Sequence, residues 1–214
     1  ECLRAWYAPV RSIRALYPID GLEHLRAAQA RGRGVVLLLA HFTPLELVPR
    51  LLRDAMDQPL MLMKRPHNDR ALEAEIDRCR RRHCGPTIDK NDAPALLAAL
   101  GNGAVVAYGA DQDFNFHHVF VPFFGIPAAT TTATSTLARR SGATVLPVAF
   151  ERGRDGRYRL RIDAPWADYP SRDRAADAAR YLGAIEAQVR RVPEQYLWVH
   201  RRFKTRPPGE PPLY

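Results

Sequence analysis

The sequence lacks the long apolar run and the cysteine framework that mark two large classes of protein. No apolar stretch approaches the roughly 18 residues that a helix needs to cross a bilayer, and no signal peptide is visible. The cysteines, Cys2, Cys79 and Cys84, are odd in number and have no disulfide-framework spacing, which fits a reducing compartment. Cys79, His83 and Cys84 lack a second ligand pair, so we interpret the cysteines as ordinary reduced thiols and predict no metal site.

The sequence also lacks the short motifs of several enzyme classes. No Gly-x-Ser-x-Gly elbow, P-loop or Gly-x-Gly-x-x-Gly loop follows any predicted strand. A serine hydrolase built on that elbow, a P-loop nucleotide hydrolase and a dinucleotide-binding enzyme are therefore not indicated.

Lysine is scarce, and yet the chain is strongly basic. Its 214 residues carry a formal net charge of +9, and all but three of the 32 basic residues are arginine. Such a surplus favours an anionic partner, whether nucleic acid, an acidic carrier protein, a phosphorylated small molecule or an anionic membrane. We predict no nucleic-acid partner, because no recognised nucleic-acid-binding signature accompanies the charge.

Apolar segments with strand character alternate with helical patterns along the chain. The run Val35–Ala40 reads as a buried strand. Further strands are predicted at "PLMLM", "AVVAY", "VFVPFFG", "TVLPVAF" and "RYRLRID", and helices at "DRALEAEIDRCRRRH", "APALLAAL", "ATTTATSTLARRSG" and 172–192. This alternation predicts a single α/β domain with a mixed, mostly parallel sheet flanked by helices.

The first 20 residues form an amphipathic, basic segment that we predict as an appendage to a domain spanning residues 21–214. Apolar side chains recur at three-to-four spacing between residues 3 and 17, with arginines among them and Pro9 as an interruption. The segment is interpreted either as a helix packed on the domain or as an interfacial helix on anionic lipid, and the two are compatible.

His41 follows the buried strand directly, and Glu46 stands five residues later in "HFTPLEL". The end of a buried strand is where open α/β sheets place their ligand crevice. If Glu46 lies in the first turn of a following helix, the chain folds back and the two side chains can meet. A carboxylate on one imidazole nitrogen leaves the other nitrogen free to act as a base. No nucleophilic Ser or Cys is marked beside His41, so the proton would come from a bound acceptor such as a substrate hydroxyl.

The same stretch has a purely structural interpretation. Thr43 is a good N-cap, Pro44 suits the first helical position, and Glu46 falls three residues after the cap. These are the features of a capping box. The box and a His41–Glu46 dyad are compatible, because a carboxylate has two oxygens and several lone pairs.

Two further groups of charged residues are candidates for substrate binding. Asp111 and Asp113 follow the buried strand "AVVAY", and we favour their anchoring an arginine or a loop over their binding a metal ion. The tail "PEQYLWVHRRFKTRPPGEPPLY" mixes basic and aromatic residues, which fits a phosphate-binding or membrane-facing patch and equally a packed aromatic segment with solvated charges. The basic residues assigned to substrate binding are Arg201, Arg202 and Lys204.

Several of these segments resemble one bacterial family. "AHFTPLEL", "ADQDFNFHHVFVPFFGIPAATTT", "LARRSGATVLPVAFER" and the "PEQYLWVHRRFK" tail are similar to the lipid A biosynthesis acyltransferases, within the wider glycerolipid acyltransferase superfamily. The similarity runs from about Gly21 to Tyr214. Two features depart from the family pattern: Pro49, which falls inside the helix predicted from Pro44, and "FNFHH", where the family commonly has Tyr-Gly.

The resemblance implies transfer of a fatty acyl chain from acyl carrier protein to a hydroxyl of an acylated, phosphorylated glucosamine disaccharide. It implies a glycerolipid-acyltransferase-like fold, no cofactor beyond acyl carrier protein or acyl-CoA as co-substrate, and work at the cytoplasmic face of the inner membrane. Members usually carry an N-terminal membrane anchor, which residues 1–214 do not include, so we expect peripheral association. His41 and Glu46 match the family's catalytic dyad. The family's helix arginine falls on Arg80, with Arg78 or Arg81 as alternatives.

Other functions stay open on the sequence alone. Within enzymes, the acceptor could be another lipid, such as a lysophospholipid, a phosphatidylinositol mannoside or the lipid of a secondary metabolite. From a different class, the chain could be a non-enzymatic basic module that docks on membranes, with His41 as a structural histidine.

Overall fold

The computed structural model describes residues 1–14 and 17–214, which form an α/β unit around one seven-stranded sheet. The strands lie in the order β1-β9-β8-β2-β5-β3-β4. Strands β8, β2, β5, β3 and β4 run parallel to one another, whereas β9 is antiparallel to β8, and β1 is parallel to β9. A separate antiparallel hairpin is formed by β6 and β7. The strands are β1 Ile19–Asp20, β2 Val35–Leu39, β3 Leu60–Lys64, β4 Thr87–Asp89, β5 Val105–Gly109, β6 His118–Phe123, β7 Ile126–Thr131, β8 Thr144–Arg152 and β9 Tyr158–Ile162.

Helices cover the sheet. They are α1 Cys2–Tyr7, α2 Val10–Arg14, α3 Leu22–Gln29, α4 Val48–Asp54, α5 Arg70–His83, α6 Ala93–Gly101, α7 Ala133–Ser141 and α8 Arg174–Arg191, and a 3-10 turn spans Pro193–Gln195. The predicted fold class, a mostly parallel sheet flanked by helices, is confirmed. Among the described residues, no helix combines the length and apolarity needed to cross a membrane.

The middle of the core is the all-apolar strand β2. All five of its residues are buried, because β5 and β8 pair with its two edges and helices cover its two faces. A strand in that position has no solvent-facing side, so its sequence shows no polar alternation. The interpretation of the run from Val35 as a buried strand is therefore confirmed.

Two predicted boundaries are wrong. The hydroxyl-rich "ATTTATSTLARRSG" is predicted as one helix, but residues through Thr131 belong to β7 and α7 begins at Ala133. Thr130 and Thr131 are β-branched and pair with β6, a context in which strand geometry suits them better than a helix. The helix predicted from Pro44 begins at Val48 instead, so Pro49 lies in its first turn, where proline is tolerated, and not in its interior.

The N-terminal segment contains two short helices in this structure, and α1 packs on the domain. Arg50, which is 2% exposed, donates to the carbonyls of Ala5 and Ala8 at the end of α1, at 2.7 and 2.6 Å. Leu3 and Tyr7 remain exposed on the same helix. This supports the packed interpretation and leaves an apolar outer face. Residues 15 and 16 of the segment lie outside the described residues.

The register of the central strands creates the candidate site. Leu39 of β2 pairs with Gly109 of β5 in a parallel ladder. His41 and Asp111 each lie two residues beyond that pair, so they leave the sheet side by side at its carboxyl edge.

Candidate functional site

The imidazole of His41 is held by Asp111. Its Nδ1 lies 2.6 Å from Asp111 Oδ1, and the His41 backbone N–H donates to Oδ2 of the same carboxylate at 2.9 Å. Asp111 is 1% exposed, whereas the His41 side chain is 23% exposed. With Nδ1 donating its proton to Asp111, the lone pair of a neutral imidazole resides on Nε2, the nitrogen not bound by the carboxylate. This is the arrangement of a general base with an orienting carboxylate.

The pair shifts both pKa values in the directions that favour the ion pair. Burial lowers the pKa of His41, but the charge of Asp111 and its hydrogen bond raise it by more, so the pKa lies above its ordinary 6.5. Burial raises the pKa of Asp111, but His41 and the hydrogen bonds lower it by more, so the pKa lies below its ordinary 3.8. Asp111 is therefore ionised at neutral pH and stabilises the imidazolium that forms when His41 takes a proton.

Two neighbouring residues fix the position of this pair. A Cβ atom at Gly109 would lie 2.9 Å from Cε1 of His41 and 3.4 Å from its Nδ1, so only glycine lets the imidazole rest against β5. The buried Tyr181 hydroxyl donates to the Leu39 carbonyl at 2.7 Å and accepts from the Ala110 N–H at 3.2 Å. It thereby ties the ends of β2 and β5 together from α8.

Glu46 does not contact His41. Its carboxylate is bound by the guanidinium of Arg80, with Nε at 3.2 Å from Oε2, and by the Trp6 indole N–H at 3.1 Å. Among the described residues, no hydrogen bond joins Glu46 to His41. The predicted His41–Glu46 contact is thus wrong, because the parallel register brings Asp111 to the imidazole while the turn after His41 carries Glu46 toward α5.

The predicted capping box is also wrong. The Thr43 N–H donates to the Gln195 carbonyl at 2.8 Å, and Phe42 forms an antiparallel bridge with Tyr196. The chain then makes successive turns in which the Leu45 and Leu47 N–H groups donate to the Phe42 and Pro44 carbonyls. The pairing with the C-terminal segment, which is remote in sequence, overrides the local capping signal.

Arg80 is the arginine of its helix that binds Glu46. Its side chain is 21% exposed against 17% for Glu46, and both groups are partly buried together. Burial lowers the pKa of Arg80, but Glu46 raises it by more. The alternatives, Arg78 and Arg81, are exposed and paired with Glu75 and Asp77 on their own helix.

Asp113 anchors the C-terminal segment. Its carboxylate accepts from the Thr205 N–H at 3.1 Å and from the Thr205 hydroxyl at 2.8 Å, while its N–H donates to Nε2 of His200 at 2.7 Å. Burial lowers the pKa of His200, which favours the neutral imidazole that this bond requires. Asp113 thus anchors a loop, as favoured from the sequence, whereas Asp111 holds His41; substrate binding by either carboxylate stays a prediction.

The three basic residues assigned to substrate binding in the tail differ in position. Arg202 is 1% exposed and donates to the Ala129 carbonyl and the Thr130 hydroxyl, both at 2.7 Å. Its guanidinium is buried against β7, which does not support the predicted contact with substrate. Arg201 and Lys204 are exposed, and none of the ion pairs among residues 1–14 and 17–214 involves either of them.

A cavity of about 200 Å³, lined by apolar residues and also by Arg161, Asp163 and Gln188, lies between the end of β2 and α8. Strand β8 pairs with β2 only as far as Leu38 and Pro147 and then pairs with β9 alone, so the sheet opens between them. Small side chains on α8, Ala184 and Ala187, line the opposite wall. No group of three or more His, Cys, Asp or Glu with the geometry of a metal site occurs in the described part of the chain.

Sequence reasoning missed Asp111 as the partner of His41, and with it Gly109 and Tyr181. The signal was present in the spacing, since each of the two polar residues follows its buried strand by the same two positions. Which strands are neighbours, and in what register, is decided by the tertiary fold.

The chain is similar in sequence to known proteins. A family described as "Bacterial lipid A biosynthesis acyltransferase" matches residues 1–205, so the match includes the N-terminal segment predicted as an appendage. The chain is 40% identical to "Lipid A biosynthesis palmitoleoyltransferase" of Escherichia coli (strain K12) over 214 residues, which covers 98% of this chain and 69% of the relative. It is 38% identical to "Lipid A biosynthesis lauroyltransferase" of the same organism, with 98% and 69% covered. A "Lipid A biosynthesis myristoyltransferase" of that organism is 28% identical, with 89% and 60% covered.

Proposed function

Because the chain belongs to the bacterial lipid A biosynthesis acyltransferase family, we propose that it transfers a fatty acyl chain to a hydroxyl of a lipid A precursor. The observation that carries this proposal is the His41–Asp111 pair at the carboxyl edge of the sheet. The proposed catalytic base is His41, and Asp111 takes the orienting role that the family resemblance assigns to Glu46.

The proposed reaction is direct acyl transfer. His41 Nε2 accepts the proton of the acceptor hydroxyl while the hydroxyl oxygen attacks the carbonyl carbon of an acyl thioester. An ester bond forms, the carbon–sulfur bond breaks, and the imidazolium returns the proton to the leaving thiolate. Asp111 stabilises the imidazolium between these steps. No protein nucleophile and no cofactor is needed.

Glu46 and Arg80 form the second part of the proposed machinery. The carbonyl oxygen becomes an oxyanion during attack and needs a donor or a positive charge aimed at it. The N–H groups of Thr43, Leu45 and Leu47 donate to backbone carbonyls. The Glu46 N–H, in contrast, is not the donor of any hydrogen bond between described residues. We assign the oxyanion to this N–H and to the adjacent guanidinium of Arg80, with the Glu46 carboxylate holding both groups in place.

The donor and the location are further parts of the proposal. We propose acyl carrier protein as the donor, since an acidic partner suits a chain of net charge +9, with acyl-CoA as the alternative. We assign part of the acyl chain to the cavity between β2 and α8, against its apolar residues Leu38, Ala184 and Ile185. We propose that the enzyme works at the cytoplasmic face of the inner membrane, where Arg201 and Lys204 would attract an anionic lipid acceptor.

The test is an acyl-transfer assay with thioester donors and a detergent-solubilised lipid A precursor. We expect product with the unmodified protein and none detectable with His41→Ala, and a matched substitution at the exposed His67 should leave the rate unchanged. Acyl-CoA in place of loaded carrier protein distinguishes the donors. Product on a lysophospholipid but none on the lipid A precursor would overturn the proposed acceptor.

A further inference from the structure

Four exposed apolar side chains lie on two loops that are hydrogen-bonded to the site or to each other. Nine large apolar residues are exposed among residues 1–14 and 17–214, and four of them lie on these two loops. Val199 is 84% exposed, Phe116 54% and Trp198 50%. We call this group the mouth patch: Phe116, Leu197, Trp198 and Val199.

Hydrogen bonds attach both loops to the site. The Leu197 N–H donates to the His41 carbonyl at 2.9 Å, which places the start of the C-terminal loop directly against the proposed base. The other loop follows Asp111, and it is joined to the C-terminal loop by the 2.7 Å bond from the Asp113 N–H to His200. The exposed side chains therefore lie on loops at the same edge of the sheet as His41.

The chemistry of the mouth patch fits a lipid surface. Trp198 packs its ring 5.0 Å from Tyr196 and donates its indole N–H to the Pro193 carbonyl, so its polar group is satisfied within the protein. Exposed Val199 has no such internal role. Arg201 and Lys204 lie within the five residues that follow Val199, and both are exposed. Neither forms an ion pair with another residue in the described part of the chain. An apolar tip bordered by uncompensated cations is the composition that binds anionic bilayers.

We propose that the mouth patch inserts into an anionic bilayer and that the flanking Arg201 and Lys204 bind its phosphate groups, so that a lipid acceptor reaches His41 without leaving the membrane. The inference rests on the proposed function, since it supplies the route of that acceptor. It assigns membrane contact to the carboxyl edge of the sheet and not to the exposed face of α1 alone.

Co-sedimentation with vesicles tests the assignment without requiring catalysis. The probes are vesicles containing phosphatidylglycerol and vesicles of phosphatidylcholine alone. We expect Phe116→Asp/Val199→Asp to lower the partition coefficient on anionic vesicles at least tenfold, because each change places a carboxylate in the apolar layer. Asn102→Asp adds a carboxylate at the opposite edge of the sheet, before β5, and should bind like the unmodified protein.

The charged flank is tested separately. Arg201→Gln/Lys204→Gln should weaken binding to anionic vesicles by about fivefold per residue and leave the weak binding to phosphatidylcholine unchanged. Arg31→Gln/Arg33→Gln removes two exposed arginines before β2, at the far edge of the sheet, and should have no more than a small effect.

Three outcomes would overturn the inference. The first is unchanged vesicle binding of Phe116→Asp/Val199→Asp. The second is loss of vesicle binding in Leu3→Asp but not in the mouth-patch variant, because that result would place the membrane contact on α1. The third is loss of self-association or of carrier-protein binding by the mouth-patch variant while vesicle binding persists. Failure of the proposed function looks different: vesicle binding then follows the expected pattern, yet no acyl transfer occurs even in detergent. His41→Ala should bind vesicles like the unmodified protein.

Discussion

Asp111 binds His41 twice, through the imidazole Nδ1 at 2.6 Å and through the backbone N–H at 2.9 Å. A carboxylate that holds both the ring and the main chain of one residue limits the rotation of the side chain as well as selecting its tautomer. Glu46, the carboxylate nearest to His41 in sequence among the candidates, is instead shared by Arg80 and Trp6. These separate partnerships make distinct predictions for the two carboxylates.

We expect Asp111→Asn to lower the maximal rate of acyl transfer by about 10³–10⁴, because the amide no longer stabilises the required tautomer or the imidazolium. The pH profile should shift as well. His41 acts as a base only when neutral, and its pKa lies above 6.5, so the acid limb of the unmodified enzyme should have its midpoint above pH 6.5. Without the carboxylate, burial alone acts on His41 and lowers its pKa, so the limb should move to lower pH.

Rate profiles from about pH 4.5 to about pH 9, a range that spans the ordinary histidine pKa, measure both effects. Asp113→Asn is the matched control, since it changes the neighbouring carboxylate that holds Thr205 and does not touch the imidazole. An acid limb in Asp111→Asn at the same pH as in the unmodified enzyme would contradict the pairing.

Glu46→Gln should leave the acid limb of the pH profile where it is, because Glu46 does not contact His41. It should destabilise the fold by about 1–3 kcal/mol, since a partly buried guanidinium loses its charged partner. Urea unfolding of Glu46→Gln, Arg80→Gln and the double variant should show non-additive free energies, with the double variant less destabilised than the sum. Additive effects would mean that the ion pair contributes nothing to stability.

Gly109→Ala should reduce acyl transfer by about a hundredfold, because the added methyl group would lie 2.9 Å from the imidazole and displaces it from Asp111. The accompanying loss of stability should be about 1–3 kcal/mol, typical of overpacking. Gly183→Ala on α8 is the control. A methyl group added there would meet no described atom within 4 Å beyond the backbone of its own helix, so this variant should keep full activity and gain slightly in stability. Equal activity of the two variants would exclude close packing of Gly109 on His41.

Arg202→Ala should destabilise the protein by about 3 kcal/mol, because it leaves a cavity and deprives the Ala129 carbonyl and Thr130 hydroxyl of their donor. Its exposed neighbour provides the comparison, since Arg201→Ala should lie within about 0.5 kcal/mol of the unmodified protein. The midpoints of urea unfolding distinguish the two. If the two substitutions were equally mild, the burial of Arg202 would have no energetic consequence.

Much of the fold could be predicted because its central strands are continuous apolar runs. Val35–Leu39 has no polar position, which only a strand covered on both faces tolerates. The start of α7 could not be predicted, because Thr130 and Thr131 satisfy a helical hydroxyl pattern and a strand equally well. Their pairing with β6 decided between the two.

The sequence by itself determined the α/β alternation, the place of His41 after a buried strand and the family to which the chain belongs. The partner of His41 was decided by the tertiary structure. Local spacing favoured Glu46, five residues away, but the parallel register of β2 and β5 brought Asp111 to the ring across 70 positions of chain. Likewise, Thr43 has the sequence of a helix cap, yet its N–H pairs with Gln195. Local signals describe what a segment can do alone, whereas strand pairing is settled by the packing of the whole core.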